Sequence, residues 1–106
     1  MTDYSRNIQE GIRFMNECIP SWVERIDLGR LNIGSCEDCV LAQATGMCYE
    51  EANYEYDIEF NQAVEMGFAT YPGDKTREQI HEELSILNQQ WYFQIYRLKQ
   101  VTACKK

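Results

Sequence analysis

The spacing of hydrophobic residues near the N-terminus predicts an amphipathic helix. Four of them are separated by steps of four, three and four residues, which places them on one face of a helix. Ser5 is the candidate N-cap, and Pro20 forces a break after this helix. The residues of the apolar face are Ile8, Ile12, Met15 and Ile19.

The longest periodic stretch lies at the other end of the chain and predicts a helix over 76–101. Thr76 and Gln79 have the spacing of a capping box, in which each side chain accepts a hydrogen bond from the backbone N–H of the other residue. An apolar stripe then continues for about five turns without Gly or Pro. Such a helix can form the spine of a bundle or pair with a second copy of itself. The stripe comprises Ile80, Leu84, Leu87, Trp91, Ile95 and Leu98.

Shorter elements are predicted between these two helices. Trp22 begins a short helical turn. Ser35 with Asp38 resembles a capping box and predicts a helix that begins near Cys36. This helix should end at Gly46, because glycine readily adopts the positive φ of a C-terminal cap.

The segments that follow are less regular. Tyrosine and glutamate alternate over 47–56, which is compatible with a loop or an irregular helix. A further helix is predicted over 57–66, with Gly67 as its stop. Its inward residues should be Phe60, Ala63 and Val64.

These elements predict an all-α fold. We expect one small helical domain over 1–106, a bundle of about four helices built around the long C-terminal helix. Most of its core should consist of Ile8, Ile12, Met15, Ile19, Trp22, Val40, Leu41, Phe60, Val64, Leu84, Leu87, Trp91 and Ile95.

The distribution of charge limits the classes of partner. The chain has 106 residues and a formal net charge of −7, and no Lys or Arg occurs between Arg30 and Lys75. Nucleic-acid affinity comes mainly from Lys and Arg, so direct binding to nucleic acid is not expected. The acidic middle of the chain should instead be attracted to a basic surface on another protein.

One stretch combines this charge with aromatic rings. Closely spaced carboxylates interleaved with tyrosines could occupy a cleft that normally holds nucleic acid, and tyrosine is a frequent anchor of interfaces. The alternative is a solvated charged face whose tyrosines turn inward. We refer to the predicted partner-binding residues as the acidic segment: Glu50, Glu51, Tyr54, Glu55, Tyr56, Asp57 and Glu59.

Cys36 and Cys39 form a Cys-x-x-Cys pair that could serve redox or metal chemistry. The two acidic residues between them oppose thiolate formation, and no βαβ pattern surrounds them. We expect Cys39 to be buried and Cys36 exposed. A zinc- or thiol-dependent protein remains the alternative, with Cys48 and either His81 or Cys104 as further zinc ligands.

No motif of a known catalytic class accompanies these residues, so neither an enzyme nor a cofactor is expected. His81 is the sole histidine, and no activated nucleophile is evident beside it in the sequence. A third possibility is a dimeric protein that captures a signalling nucleotide, with Arg77 and Arg97 contacting its phosphates. No apolar run is long enough to span a bilayer and no signal peptide is evident, which indicates a cytoplasmic protein.

A series of short motifs occurs in a particular order: Trp22, Ile26-Asp27-Leu28, Cys39-Val40-Leu41-Ala42-Gln43, Gly46, Gly67-Phe68 and Trp91. This order resembles a family of small bacteriophage-encoded proteins. Cys39 belongs to the shared pattern, whereas Cys36 does not. The resemblance implies an accessory or counter-defence factor in the host cytoplasm, comparable to anti-CRISPR inhibitors, that blocks a host nuclease or nucleic-acid-binding protein. It implies no catalytic residue.

Overall fold

The computed structural model describes residues 3–104, and the chain forms six α-helices within them. No strand occurs over this range, so the prediction of an all-α fold is confirmed. The structure has two helices more than the four expected, because the turn at Trp22 and the undecided segment 47–56 are both helical. The helices are α1 (Ser5–Cys18), α2 (Trp22–Arg25), α3 (Val40–Thr45), α4 (Tyr49–Glu55), α5 (Phe60–Glu65) and α6 (Arg77–Cys104).

The core forms where the two long helices, α1 and α6, meet the four shorter helices. The whole predicted face of α1 is buried, as are Leu87, Trp91 and Ile95 of α6. The indole of Trp91 stacks on Phe68 with 5.8 Å between ring centroids and meets the ring of Trp22 edge-on at 6.5 Å. Buried apolar residues therefore form one continuous cluster that joins both ends of the chain.

Helix starts are where the sequence prediction departs most from the structure. Ser5 is the first residue of α1 rather than its N-cap, a position that Tyr4 occupies. The third helix begins at Val40 instead of near Cys36, with Cys39 as its N-cap. Asp38 does not complete a capping box, because the N–H of Ser35 donates to the Asn32 carbonyl at 3.0 Å. Its carboxylate instead pairs with Arg30 at 2.7 Å.

The start of α5 is also later than expected. Asp57 lies in the left-handed region at φ 54°, so the predicted helix over 57–66 cannot begin there. The helix begins at Phe60, with Glu59 as its N-cap. The N–H of Glu59 donates to the Gln62 side chain at 2.9 Å. Phe60 is 49% exposed, so its assignment to the core was wrong. Its ring instead packs edge-on against Tyr71 at 5.6 Å.

Other helix termini agree with the sequence. The predicted capping box at the start of α6 is present: Thr76 N–H donates to Gln79 Oε1 at 2.8 Å, and Gln79 N–H donates to Thr76 Oγ1 at 3.1 Å. Gly46 ends α3 with φ 78°, as its position predicted. None of the described helices is both long and apolar enough to cross a membrane.

Candidate functional site

The acidic segment lies on α4 and on the turn that leads to α5. Within α4, Ala52 is fully buried and Tyr49 and Asn53 are half-buried, which orients one face of the helix toward α3. At 3.6 residues per turn, the remaining positions must face outward. Glu50, Glu51, Tyr54 and Glu55 are accordingly exposed, and the ring of Tyr54 is 86% exposed.

The turn after α4 presents the rest of the segment. Asp57 and Glu59 are exposed. Tyr56 differs from Tyr54, because it is half-buried and its ring meets Phe14 edge-on at 5.9 Å. The two tyrosines therefore differ: Tyr54 faces solvent, and Tyr56 turns inward as the alternative of a solvated charged face expects.

The carboxylates of the acidic segment have no cationic partner within ion-pair distance among residues 3–104. Three ion pairs occur in that range, and they join Arg13 to Glu10, Arg30 to Asp38 and Lys75 to Glu83. The side chain of Glu51 accepts a weak hydrogen bond from the Cys48 thiol at 3.6 Å. Among residues 3–104, the negative charge of this surface is therefore not neutralised by ion pairs with neighbouring side chains.

An apolar cleft of about 320 Å³ adjoins the acidic segment. Tyr49 and Phe60 line it. In the chain, Tyr49 directly precedes Glu50, and Phe60 directly follows Glu59. Local sequence patterns do not reveal this cleft, because its other walls come from segments distant along the chain. These walls include Ile33, Cys36, Phe68, Ala69, Ile80 and Leu84.

Cys36 and Cys39 have the solvent exposure that the sequence predicted. Cys36 is exposed and Cys39 is buried. Burial raises the pKa of the Cys39 thiol, since desolvation disfavours the thiolate, so this thiol stays protonated at neutral pH. A Cys36–Cys39 redox couple would therefore lack a reactive thiolate at its buried member.

The residues of the zinc alternative do not form a site in the part of the chain that the structure describes. There, no three His, Cys, Asp or Glu side chains are placed to hold a metal ion. His81 is exposed and borders a separate hollow with Asn32 and Asn88. The side chain of Cys104 lies outside those that the structure describes.

The arginines offer no evident phosphate site within one chain. Arg77 and Arg97 lie 20 residues apart along α6, a separation of about 30 Å at 1.5 Å per residue. A cavity of about 280 Å³ is lined by Arg25 and Arg30. Arg25 already donates to the Ala44 carbonyl at 3.0 Å, and Arg30 is paired with Asp38.

Comparisons with protein-family models, with curated proteins and with solved structures found no match to this chain. The resemblance to bacteriophage proteins therefore stays a prediction. The exposed acidic segment and the apolar cleft beside it are the surface features that bear on function.

Proposed function

We propose that this protein is a non-enzymatic binding protein whose acidic segment engages a basic surface on a protein partner. In this proposal it is a phage accessory or counter-defence factor of the host cytoplasm, comparable to an anti-CRISPR inhibitor. Its partner is a host nuclease or nucleic-acid-binding protein, and no cofactor takes part. The proposal rests on one observation: exposed carboxylates that form no ion pair with any cation of residues 3–104 lie on either side of Tyr54, which is 86% exposed.

The electrostatics of α4 support such binding. Because these carboxylates form no ion pair with the described residues, they can pair with Lys and Arg of another protein without first breaking one. They also attract a basic surface over a distance of about one Debye length, roughly 8 Å at physiological salt. Glu51 and Glu55 lie one turn apart, about 6 Å along the axis, and the helix holds them at fixed spacing.

The apolar cleft supports a more specific partner class. Its volume of about 320 Å³ is at the lower end of ligand pockets, which begin near roughly 300 Å³. A partner could insert one large apolar side chain into the cleft while its neighbouring basic residues contact the acidic segment. Buried anchors of this kind contribute most of the binding energy in many interfaces.

A charge-reversed variant tests the role of the acidic segment. Glu50→Lys, Glu51→Lys and Glu55→Lys are combined in one protein, because all three residues are exposed on α4. Asp57 and Glu59 are left unchanged, since Asp57 has left-handed backbone and Glu59 takes part in the start of α5. The matched control carries Glu17→Lys, Glu24→Lys and Glu65→Lys, which are also exposed and outside the acidic segment.

Each variant is immobilised and exposed to bacterial host lysate, and captured proteins are identified by mass spectrometry. The wild type and the control should capture the same basic protein, and the acidic-segment variant should lose at least tenfold in its affinity, about 1.4 kcal/mol. The purified partner should then lose nucleic-acid binding when the wild-type protein is added. Equal capture by the two variants would contradict the proposal.

Loss of the fold must be separated from loss of charge. Glu50 and Glu51 lie in the first turn of α4, so their reversal should lower the free energy of unfolding by about 1 kcal/mol each through the helix dipole. A variant with Glu50→Gln, Glu51→Gln and Glu55→Gln removes the charge with a smaller cost. Circular dichroism of both variants checks that their helical content is unchanged.

The other candidate functions have less support. The zinc ligands do not converge within residues 3–104. Burial of Cys39 disfavours the thiolate that a thiol-dependent protein would need, and Arg77 and Arg97 lie about 30 Å apart along α6. Self-association through α6, which the sequence also predicted, is a separate proposal and does not depend on the acidic segment.

A further inference from the structure

Helix α6 carries apolar residues on two opposite faces. One face is the core stripe of Leu87, Trp91 and Ile95. The other face points away from the core and follows alternating steps of four and three residues, the repeat typical of helices that pair with another helix. We call it the outward seam: Glu82, Ile86, Gln89, Phe93, Tyr96 and Gln100.

Large apolar side chains on this seam remain accessible. Phe93 is 59% exposed and Tyr96 is 48% exposed, with exposed Tyr92 and Val101 at their sides. Ile86 is half-buried. A helix whose second face faced only solvent would be polar there. Phe93 and Tyr96 make this face more apolar than one that meets only solvent, which favours contact with another surface.

The order of the seam residues is compatible with an antiparallel partner. Their steps of four, three, four, three and four residues read the same in both directions. When a second α6 runs antiparallel, with the two-fold axis at the level of Trp91, each seam residue lies opposite a seam residue of the second copy. Ile86 then lies opposite Tyr96, and Gln89 opposite Phe93.

The charges of α6 favour the same orientation. Exposed Glu82 lies near the start of the seam and exposed Arg97 near its end, and neither forms an ion pair within residues 3–104. Antiparallel pairing places Glu82 at the level of Gln100 of the second copy. Arg97 of the second copy lies three residues from this Gln100, about 4.5 Å along the helix axis, so its long side chain can reach Glu82. Parallel pairing would instead oppose like charges.

We infer that two copies of this protein associate through the outward seams of antiparallel α6 helices. By symmetry the interface contains two Ile86–Tyr96 contacts, two Gln89–Phe93 contacts and two Glu82–Arg97 pairs. An isologous two-fold interface of this kind closes on itself, so association stops at the dimer. The inference does not depend on the acidic segment, which lies on α4 and on the turn that follows it.

Sedimentation equilibrium tests the association on the full chain. Concentrations from about 1 to 300 µM cover the affinities of interfaces of modest area. The wild type should sediment as a dimer at the upper concentrations. Phe93→Asp should be monomeric throughout, because it places a charge opposite Gln89 at the centre of the seam. A monomeric wild type, or a Phe93→Asp variant that still dimerises, would overturn the inference.

A charge swap tests the orientation. Glu82→Arg and Arg97→Glu should each weaken the dimer at least fivefold, because each brings like charges together across the axis. The double variant restores opposite charges and should recover at least half of the loss. Parallel pairing predicts no recovery, so failure of the double variant would refute the antiparallel arrangement.

Two controls keep this test interpretable. Glu17→Arg reverses an exposed charge on α1 and should leave the dimer unchanged. Since all substituted residues are exposed, circular dichroism should show wild-type helical content in every variant. Equal weakening by Glu17→Arg would show that net charge, rather than the seam, controls association, and would also overturn the inference.

Discussion

Among single residues, Trp91 combines ring contacts and a hydrogen bond in the core. Its indole is fully buried between Phe68 and Trp22, and its Nε1 donates to the Gly67 carbonyl at 2.6 Å. Gly11 lies against the same ring, and a Cβ at that position would collide with the Met66 carbonyl oxygen. Trp91 thereby joins α6 to α1, α2 and the segment that follows α5.

Trp91→Phe should lower the free energy of unfolding by about 2–3 kcal/mol. The change removes ring volume and leaves the buried Gly67 carbonyl without its donor. Urea unfolding monitored by circular dichroism measures the loss.

Trp22→Phe is the matched control for this prediction. Trp22 is also buried, but its Nε1 donates to Asn16, an exposed side chain that can hydrogen-bond to water instead. Trp22→Phe should therefore lower the free energy of unfolding by less than Trp91→Phe does, by about 1–2 kcal/mol. Equal losses for the two variants would show that the Trp91–Gly67 hydrogen bond adds little.

At the scale of elements, similar capping patterns had different outcomes. Thr76 and Gln79 form the predicted box. Ser35 instead accepts hydrogen bonds from the N–H groups of Glu37 and Asp38, both at 3.3 Å, and forms a turn before α3. Asp38 pairs with Arg30, eight residues away, and this contact could not be read from local spacing.

Thr76→Ala should lower the free energy of unfolding by about 1 kcal/mol, because the N–H of Gln79 loses its acceptor at the start of α6. Equilibrium unfolding in urea tests this value. Ser85→Ala removes an exposed hydroxyl from the interior of the same helix and should change stability by less than about 0.5 kcal/mol. If both variants behaved alike, the capping box would not contribute to stability.

At the scale of the whole molecule, two surfaces remain available after the core has formed. One is the acidic segment with its apolar cleft, and the other is the outward seam of α6. α6 has 28 residues and is about 42 Å long, comparable with the 48 Å longest dimension of the molecule. A dimer through this helix would present two acidic segments.

The two surfaces should act independently. Phe93→Asp should abolish dimerisation yet still capture the same partner as the wild type. The variant with Glu50→Lys, Glu51→Lys and Glu55→Lys should lose the partner yet sediment as a dimer.

Affinity capture and sedimentation of both variants test this independence. On a surface that carries many partner molecules, the monomeric variant should dissociate faster, because it has lost bivalent attachment. If each variant lost both properties, the two surfaces would be coupled.

The sequence by itself determined the helical class, the buried faces of α1 and α6, the capping box at Thr76 and the exposure of the acidic positions. These features follow from periodicity and local hydrogen bonding within a few residues. The tertiary structure decided the rest. Asp38 forms an ion pair with Arg30, and Phe60 packs against Tyr71 on the surface. Distant segments, including Ile33 and Leu84, line the apolar cleft. Such contacts depend on how helices pack together, which short-range patterns do not encode.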